Sequence, residues 1–424
     1  MPSAVVVGGG IAGLVVARDL AVGGMTVTVL EAADQLGGKV ARHTVGGVEL
    51  DAGAESFANR RGTVATLAAE LGLDAALVAP NPAGAWLQLA GGGALPLPRT
   101  GLLGIPGTPL AADVIAVVGL RSALRAQLDE LIPGSVASKE RTLGALVRRR
   151  MGAGVLDKLV TPVVMGIHSR HPDELDVDTV APGLRRALLG TGSLAHAVVR
   201  LREAAPAGSA VTGLVGGIAG LVDALAADLV ERGATIRTGA TVSAADAGGV
   251  TLASGTRVDA DLVVLATPLG APAPASIVLA TVVIDDPALD AAPRGTGLLV
   301  APGAPGIRAK ALTHATAKWP WLAARAGRHR HVLRLSYDAL AVDALDGRAL
   351  ERQAIADAGA LLGVRLDPAD LVGFASVGWT PAARRPEPVA GVTIVGESVA
   401  GAGLAGVIAH ARSETERLLQ EVVA

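Results

Sequence analysis

The chain has 424 residues, 37 basic against 39 acidic, with 50% hydrophobic and 2% aromatic residues and no cysteine. Its length suggests two or three domains with substantial cores, and its hydrophobicity excludes a disordered chain. A net charge of −2 and so few aromatics leave nothing to attract or stack a nucleic acid, and without cysteine there is no disulfide framework, thiolate metal site or cysteine nucleophile.

Met1-Pro2-Ser3 lacks the basic start of a targeting signal. Ala4–Val7 is a β-branched run that reads as a buried parallel strand. It meets Gly8-Gly9-Gly10-Ile11-Ala12-Gly13, a G-x-G-x-x-G, and then Leu14–Leu20 at helical apolar spacing. A second strand, Thr26–Leu30, ends in Glu31 and Ala32. Gly8 permits the tight turn, Gly10 lets backbone approach a pyrophosphate, and Gly13 lets helix and sheet pack closely. The N–H groups at Ile11 and Ala12 then face the anion, and Glu31 can accept both ribose hydroxyls. An acid at this position disfavours a 2′-phosphate, leaving FAD or NAD. Leu36-Gly37-Gly38-Lys39 and then Gly53-Ala54-Glu55-Ser56 favour FAD, whose flavin half needs more backbone to lie along.

Residues from about 100 to 210 read as helical over Pro109–Leu131, Leu143–Val160 and Leu184–Leu201. The run Arg148–Arg150 reads as a solvated helix face with some packing role. Val215–Leu221 leads into a helix through Val230, Gly233 stops it, and strand Thr235–Arg237 precedes Val242. Asp261–Ala266 is another buried strand, and Ile277–Ile284 and His331–Ser336 are β-type runs. The last block is strand Val392–Val395, then Gly396-Glu397-Ser398, then Gly401-Ala402-Gly403-Leu404 opening a final helix. Gly396-Glu397-Ser398 is a poor nucleophile elbow, because the one following histidine, His410, sits on that same helix. His329 and His331 share a strand face and have no acidic or histidine partner at recognisable spacing, so no metal site is expected. Arg18 and Asp19 interrupt Leu14–Leu30, and Pro268, Pro272 and Pro274 break Leu262–Ile284, so no spanning helix is expected. A cytoplasmic location is the expectation. A mean hydropathy of +0.48 leaves peripheral contact with a membrane surface open.

The glycine fingerprint, Glu31, Gly37-Gly38-Lys39 and the Gly53–Ser56 turn together resemble the first block of the flavin amine oxidase superfamily. The insertions resemble the protoporphyrinogen and coproporphyrinogen III oxidase family within it. Arg148–Gly152 is similar to its R-R-R-[LF]-G, Thr161–His168 with Pro172–Leu175 to its P-x-x-x-G-[IV]-Y-A-G-D-P-x-x-L, and Gly295–Val300 to its G-[ST]-G-F-L-V. Lys318-Trp319-Pro320 is similar to its K-W-P.

The resemblance implies an α/β fold: a discontinuous, amine-oxidase-type FAD-binding Rossmann-like domain (1–62, 211–270, 385–424), a mixed α+β substrate domain (63–99, 271–384) and a helical lobe (100–210). It adds Val242 at the adenine, Ala266 and Gly396 beside the cofactor, and Glu397, Gly403 and Leu404 at the flavin. It further implies oxidation of a porphyrinogen in haem biosynthesis, with hydride passing to the flavin and molecular oxygen as acceptor. By resemblance and position, His168, Arg170, His171, Lys310 and Lys318 are the candidates to meet substrate propionates. No catalytic base is assigned. The family's tyrosine is His168 here, its A-G-D is Ser169-Arg170-His171, and the helix it usually carries between Trp379 and the last flavin strand is missing. A flavoenzyme with another reduced substrate, or an FAD-binding protein with little turnover, therefore stays open as an alternative.

Overall fold

The computed structural model describes residues 1–59, 62–99, 101–203, 211–267, 274–380, 387–401 and 403–423. Strand β1 (Ser3–Val7) runs into helix α1 (Ile11–Val22) and strand β2 (Thr26–Leu30), as the pattern requires. Helix α2 (Gly220–Glu231), strand β3 (Thr235–Arg237), strand β4 (Leu262–Leu265), strand β5 (Val392–Ile394) and helix α3 (Leu404–Val423) complete the set. The five strands form one sheet in the order β3-β2-β1-β4-β5, and every pairing is parallel.

Alternation along the strands sends side chains to two different cores. Ala4, Val6, Val27, Val29 and Val264 pack with Leu14, Leu20, Leu225 and Ile408 of the three helices. Val5, Val7, Leu30, Val263 and Leu265 pack with Val242, Val250 and Leu252 of an antiparallel three-stranded sheet. A strand buried on both faces has no polar side to show, which explains the unbroken β-branched runs. Arg18, the charge that interrupts the first apolar stretch, is buried and held by Glu70 at 2.8 Å and Asp228 at 3.0 Å.

By contact the chain divides into two units: Met1–Pro80, Ser209–Ser276 and Val377–Ala424 in one, Asn81–Gly208 and Ile277–Ser376 in the other. Residues 63–80, which the sequence reading gives to a substrate domain, thus lie with the parallel sheet. The helices of 101–203 share the second unit with a seven-stranded sheet. That sheet runs Leu371–Trp379, Ile277–Asp285, Arg330–Asp338, Ala311–His314, Gly297–Val300, Trp86–Gln88, Ala94–Pro96. Pro268 and Pro272 lie outside the described residues.

In the helical part, the segment Leu156–Val160 is a π-turn directly before Thr161–His168. Pro162 has no N–H to return to Lys158, which favours this local slip in register. The Arg148–Arg150 run is not one solvated face. Arg148 and Arg149 are exposed and pair with Asp173 and Glu140, whereas Arg150 is 0% exposed and bonded to Asp129 at 2.5 Å. Its remaining N–H groups reach the carbonyls of Pro133 and Gly192, both at 2.8 Å. Asp129 in turn accepts from Ser193 Oγ at 2.7 Å and Ala195 N at 3.0 Å, so the pair is fully engaged and locks this helical core.

Candidate functional site

Because every strand of the five-stranded sheet points the same way, the loops after Val7, Leu30, Leu265 and Ile394 gather at one edge. The Gly9 N–H donates to Glu31 Oε2 at 2.7 Å, and the Ala33 N–H donates to Glu31 Oε1 at 2.8 Å. Ala32 lies between them in sequence. The Gly37 N–H donates to Gly9 O at 2.8 Å, so the second glycine pair is fastened to the first.

The glycines of the fingerprint do different work. A Cβ built at Gly13 would lie 1.9 Å from Gly8 O, so glycine is demanded there by the protein's own packing. A Cβ at Gly10 meets nothing nearer than Gly37 O at 3.9 Å. The space over Gly10 is an open cradle at the start of α1. That helix has no side-chain cap and no acidic residue in its first turn, which leaves Ile11 and Ala12 presenting an uncapped positive end. Gly38 is left-handed at φ +55°, and its missing Cβ faces Gly10 Cα at 3.6 Å.

The other cofactor candidates join the same edge. A Cβ at Gly396 would lie 3.1 Å from Ala266 O and 3.6 Å from Ala12 Cβ, so the last strand's turn abuts the first helix. Lys39 pairs with Glu397 and also donates to Thr380 O at 2.6 Å. Gly53 is buried against Lys39 O, while Ala54, Glu55 and Ser56 follow at the surface end of Val48–Asp51. Val242 sits two residues beyond Ala240, whose N–H bonds Glu31 O at 2.8 Å. Gly403 is left-handed at φ +109° and Leu404 opens α3; Ala402 lies outside the described residues.

One acid in this block has a role its spacing did not announce. Asp51 is buried and accepts from Ile218 N and Ala219 N, both at 3.0 Å. The later glycine-rich turn before α2 is therefore filled by Asp51, and Gly217 has no room for a Cβ because that carboxylate stands 2.8 Å away.

The substrate candidates all lie in the second unit. His168 ends Thr161–His168; Arg170 pairs with Glu174 at 3.3 Å, both exposed; and His171 Nδ1 accepts from Asp173 N at 3.3 Å. Lys310 is buried and pairs with Asp338 at 2.6 Å. The Lys318 ammonium stands 5.1 Å from the Trp319 ring centroid.

The histidines differ from the sequence reading. His329 precedes the strand Arg330–Asp338, at φ +61°, so only His331 is a residue of that strand. Both nevertheless reach Asp290, His329 Nδ1 at 2.6 Å and His331 Nε2 at 3.1 Å. The carboxylate accepts from His331 Nε2–H, which leaves His331 Nδ1 to accept from His314 Nε2–H at 3.1 Å. Burial pushes the His314 pKa down to about 3 and also lowers that of His331. These residues line a cavity of about 350 Å³ together with Thr316 and Arg328. The described residues contain no group of three such side chains able to hold a metal ion.

With this geometry established, comparison with known proteins decides the family. The model for flavin containing amine oxidoreductases matches residues 11–294. A coproporphyrinogen III oxidase of Mycobacterium leprae is 31% identical over 86% of this chain and 84% of its own length. The chain belongs to the flavin-containing amine oxidoreductase family. That relative lies in its porphyrinogen-oxidase branch. Another coproporphyrinogen III oxidase, from Propionibacterium freudenreichii, is 31% identical over 62% of this chain, which spans 56% of that relative's length. A solved structure from Exiguobacterium sp. 255-15, provisionally assigned as a protoporphyrinogen oxidase, superposes with a TM-score of 0.80 at 25% identity, covering 99% of each chain. Family membership makes this an FAD-dependent oxidoreductase. The open cradle at Gly10, the uncapped start of α1 and the Glu31 carboxylate fit that cofactor's pyrophosphate and ribose. No helix among the described residues is long and apolar enough to cross a membrane.

Proposed function

We propose that this flavoenzyme oxidises a porphyrinogen, coproporphyrinogen III or protoporphyrinogen IX, to the porphyrin, with molecular oxygen as the final acceptor, in haem biosynthesis. The observation that carries the reading is the match to coproporphyrinogen III oxidase along 84% of that relative's length, at 31% identity. The cofactor residues are those nominated above: Gly8, Gly10, Ile11, Ala12, Gly13 and Glu31 for the ADP half, with Ala32, Ala266 and Val242 alongside. Gly38, Lys39, Gly53, Ala54, Glu55, Ser56, Gly396, Glu397, Gly403 and Leu404 serve the flavin half. Bound FAD supplies the electron sink, taking hydride from a bridging carbon of the substrate. The protein orients the ring and excludes water. The candidates for the propionates are His168, Arg170, His171, Lys310 and Lys318.

A second reading, the same scaffold acting on another reduced substrate, has one observation in its favour. Arg170, His171 and Lys310 are already paired with Glu174, Asp173 and Asp338, so each would have to give up a carboxylate to meet a propionate. Anaerobic mixing of FAD-loaded protein with coproporphyrinogen III or protoporphyrinogen IX separates the readings. Rapid bleaching of the flavin, followed by porphyrin fluorescence on admitting air, is the expected result. Flavin that stays oxidised with both would favour the second reading, and amines would then be screened.

A further inference from the structure

We infer that the cavity beside His314 and His331 is a binding site for a small zwitterion of the amino-acid class, its ammonium meeting Asp290 and its carboxylate meeting Arg328. The cavity measures about 350 Å³, within the range of roughly 300–1,000 Å³ that small-molecule sites occupy. None of the residues lining it is among those assigned to the cofactor or nominated for the propionates, so its ligand is a second small molecule.

Two opposite charges share this cavity without meeting. Asp290 accepts from His329 Nδ1–H at 2.6 Å on one oxygen and from His331 Nε2–H at 3.1 Å on the other. A carboxylate has about four acceptor positions, so roughly two stay open, and the Asp290 side chain is 44% exposed. Arg328 is exposed and has no ion-pair or hydrogen-bond partner among the described residues. Arg330 also lines the cavity, but two bonds of 2.8 and 2.9 Å commit its guanidinium to Asp285. Burial holds His314 and His331 neutral. What remains for a ligand is one cation and one anion with no bond between them. A ligand carrying a single charge would satisfy one and leave the other without a partner. A molecule with both an ammonium and a carboxylate answers the two together. Leu289, Ala317 and Ala323 make part of the wall apolar, which suits an aliphatic chain. His329 stands at φ +61°, an unusual conformation of the kind that collects at ligand clamps, and its bond to Asp290 anchors the turn that carries Arg328.

The test is calorimetric titration of the FAD-loaded protein with L-leucine and with 5-aminopentanoate, zwitterions whose charges stand at different separations. At least one should bind, roughly tenfold or more tightly than its analogues of single charge. Those analogues are 3-methylbutylamine and 4-methylpentanoate for L-leucine, and butylamine and pentanoate for 5-aminopentanoate. In R328A the zwitterion should bind no better than the matching amine, and in D290N no better than the matching carboxylate. A merely structural effect would weaken every ligand alike. If D290N does not fold, R328A, altered at an exposed position, and the analogue series on the wild type still decide. The inference is overturned if neither zwitterion binds at about 10 mM, if the analogues bind as well, or if R328A keeps the wild-type preference. Bleaching of the flavin by the zwitterion, undiminished in R328A, would place that ligand at the cofactor and overturn it too.

Discussion

Glu31 braces Gly9. The 2.7 Å bond from the Gly9 N–H to Glu31 Oε2 makes the acid at the end of β2 part of the phosphate turn as well as the ribose acceptor. An ionised carboxylate has about four acceptor positions, so the two backbone donors leave room for hydroxyls. Glu31→Ala should weaken FAD binding at least tenfold and destabilise the apoprotein by about 1–3 kcal/mol, because the Gly9 N–H loses its partner. Flavin titration and urea unfolding of the apoprotein measure the two effects separately. An acid that served only the ribose would leave the unfolding curve unchanged.

Gly10 and Gly13 of the fingerprint should respond oppositely. Gly10→Leu should leave the apoprotein folded yet unable to retain FAD, since its side chain enters open space rather than protein. Gly13→Ala should destabilise the apoprotein by about 1–3 kcal/mol or more, because its methyl group meets Gly8 O. Thermal melting with and without added FAD distinguishes loss of cofactor from loss of fold.

The buried Arg150–Asp129 pair gives a prediction in the helical part. Asp129→Ala strands a guanidinium at 0% exposure and should cost about 3–5 kcal/mol. The double variant Asp129→Ala with Arg150→Met should recover much of that loss, since no charge is then left buried alone. Urea midpoints for the two single variants and the double variant test it, and strict additivity would contradict it.

The buried histidines set an acid limit. His314 and His331 are held neutral in the fold, with pKa values below those of the unfolded chain. The unfolded state therefore binds more protons below about pH 6.5. Stability is fully present above that pH and falls on acidification, for His314 down to about 3 and by up to roughly 1.4 kcal/mol per pH unit, with His331 adding in the same direction. Replacing His314 with Asn should flatten the dependence of the urea midpoint between pH 7 and pH 4.5. An equally steep profile in the variant would remove His314 as the cause.

What could be read from the sequence was what neighbours in the chain decide. Gly8–Gly13, β2 and Glu31 form a local unit whose spacing carries its own geometry, and the doubly buried strands show as unbroken apolar runs. Asp51 could not be assigned, because the N–H groups it accepts from lie 167 and 168 residues away. Arg150 looked like its neighbours because a run of three arginines does not tell which one turns inward; that depends on Asp129, 21 residues earlier. Asp290 joins two histidines about 40 positions further on across a turn, a relation that no periodicity encodes.

The parallel sheet also has a consequence for how the chain is made. β1 pairs with β2 almost at once, but its other neighbour, β4, is about 258 residues away. Throughout synthesis of the intervening chain, one side of Ser3–Val7 offers unpaired backbone groups beside the apolar side chains of Ala4–Val7. The nascent protein thus carries an unpaired, apolar strand edge for most of its translation, the kind of edge on which incomplete chains associate.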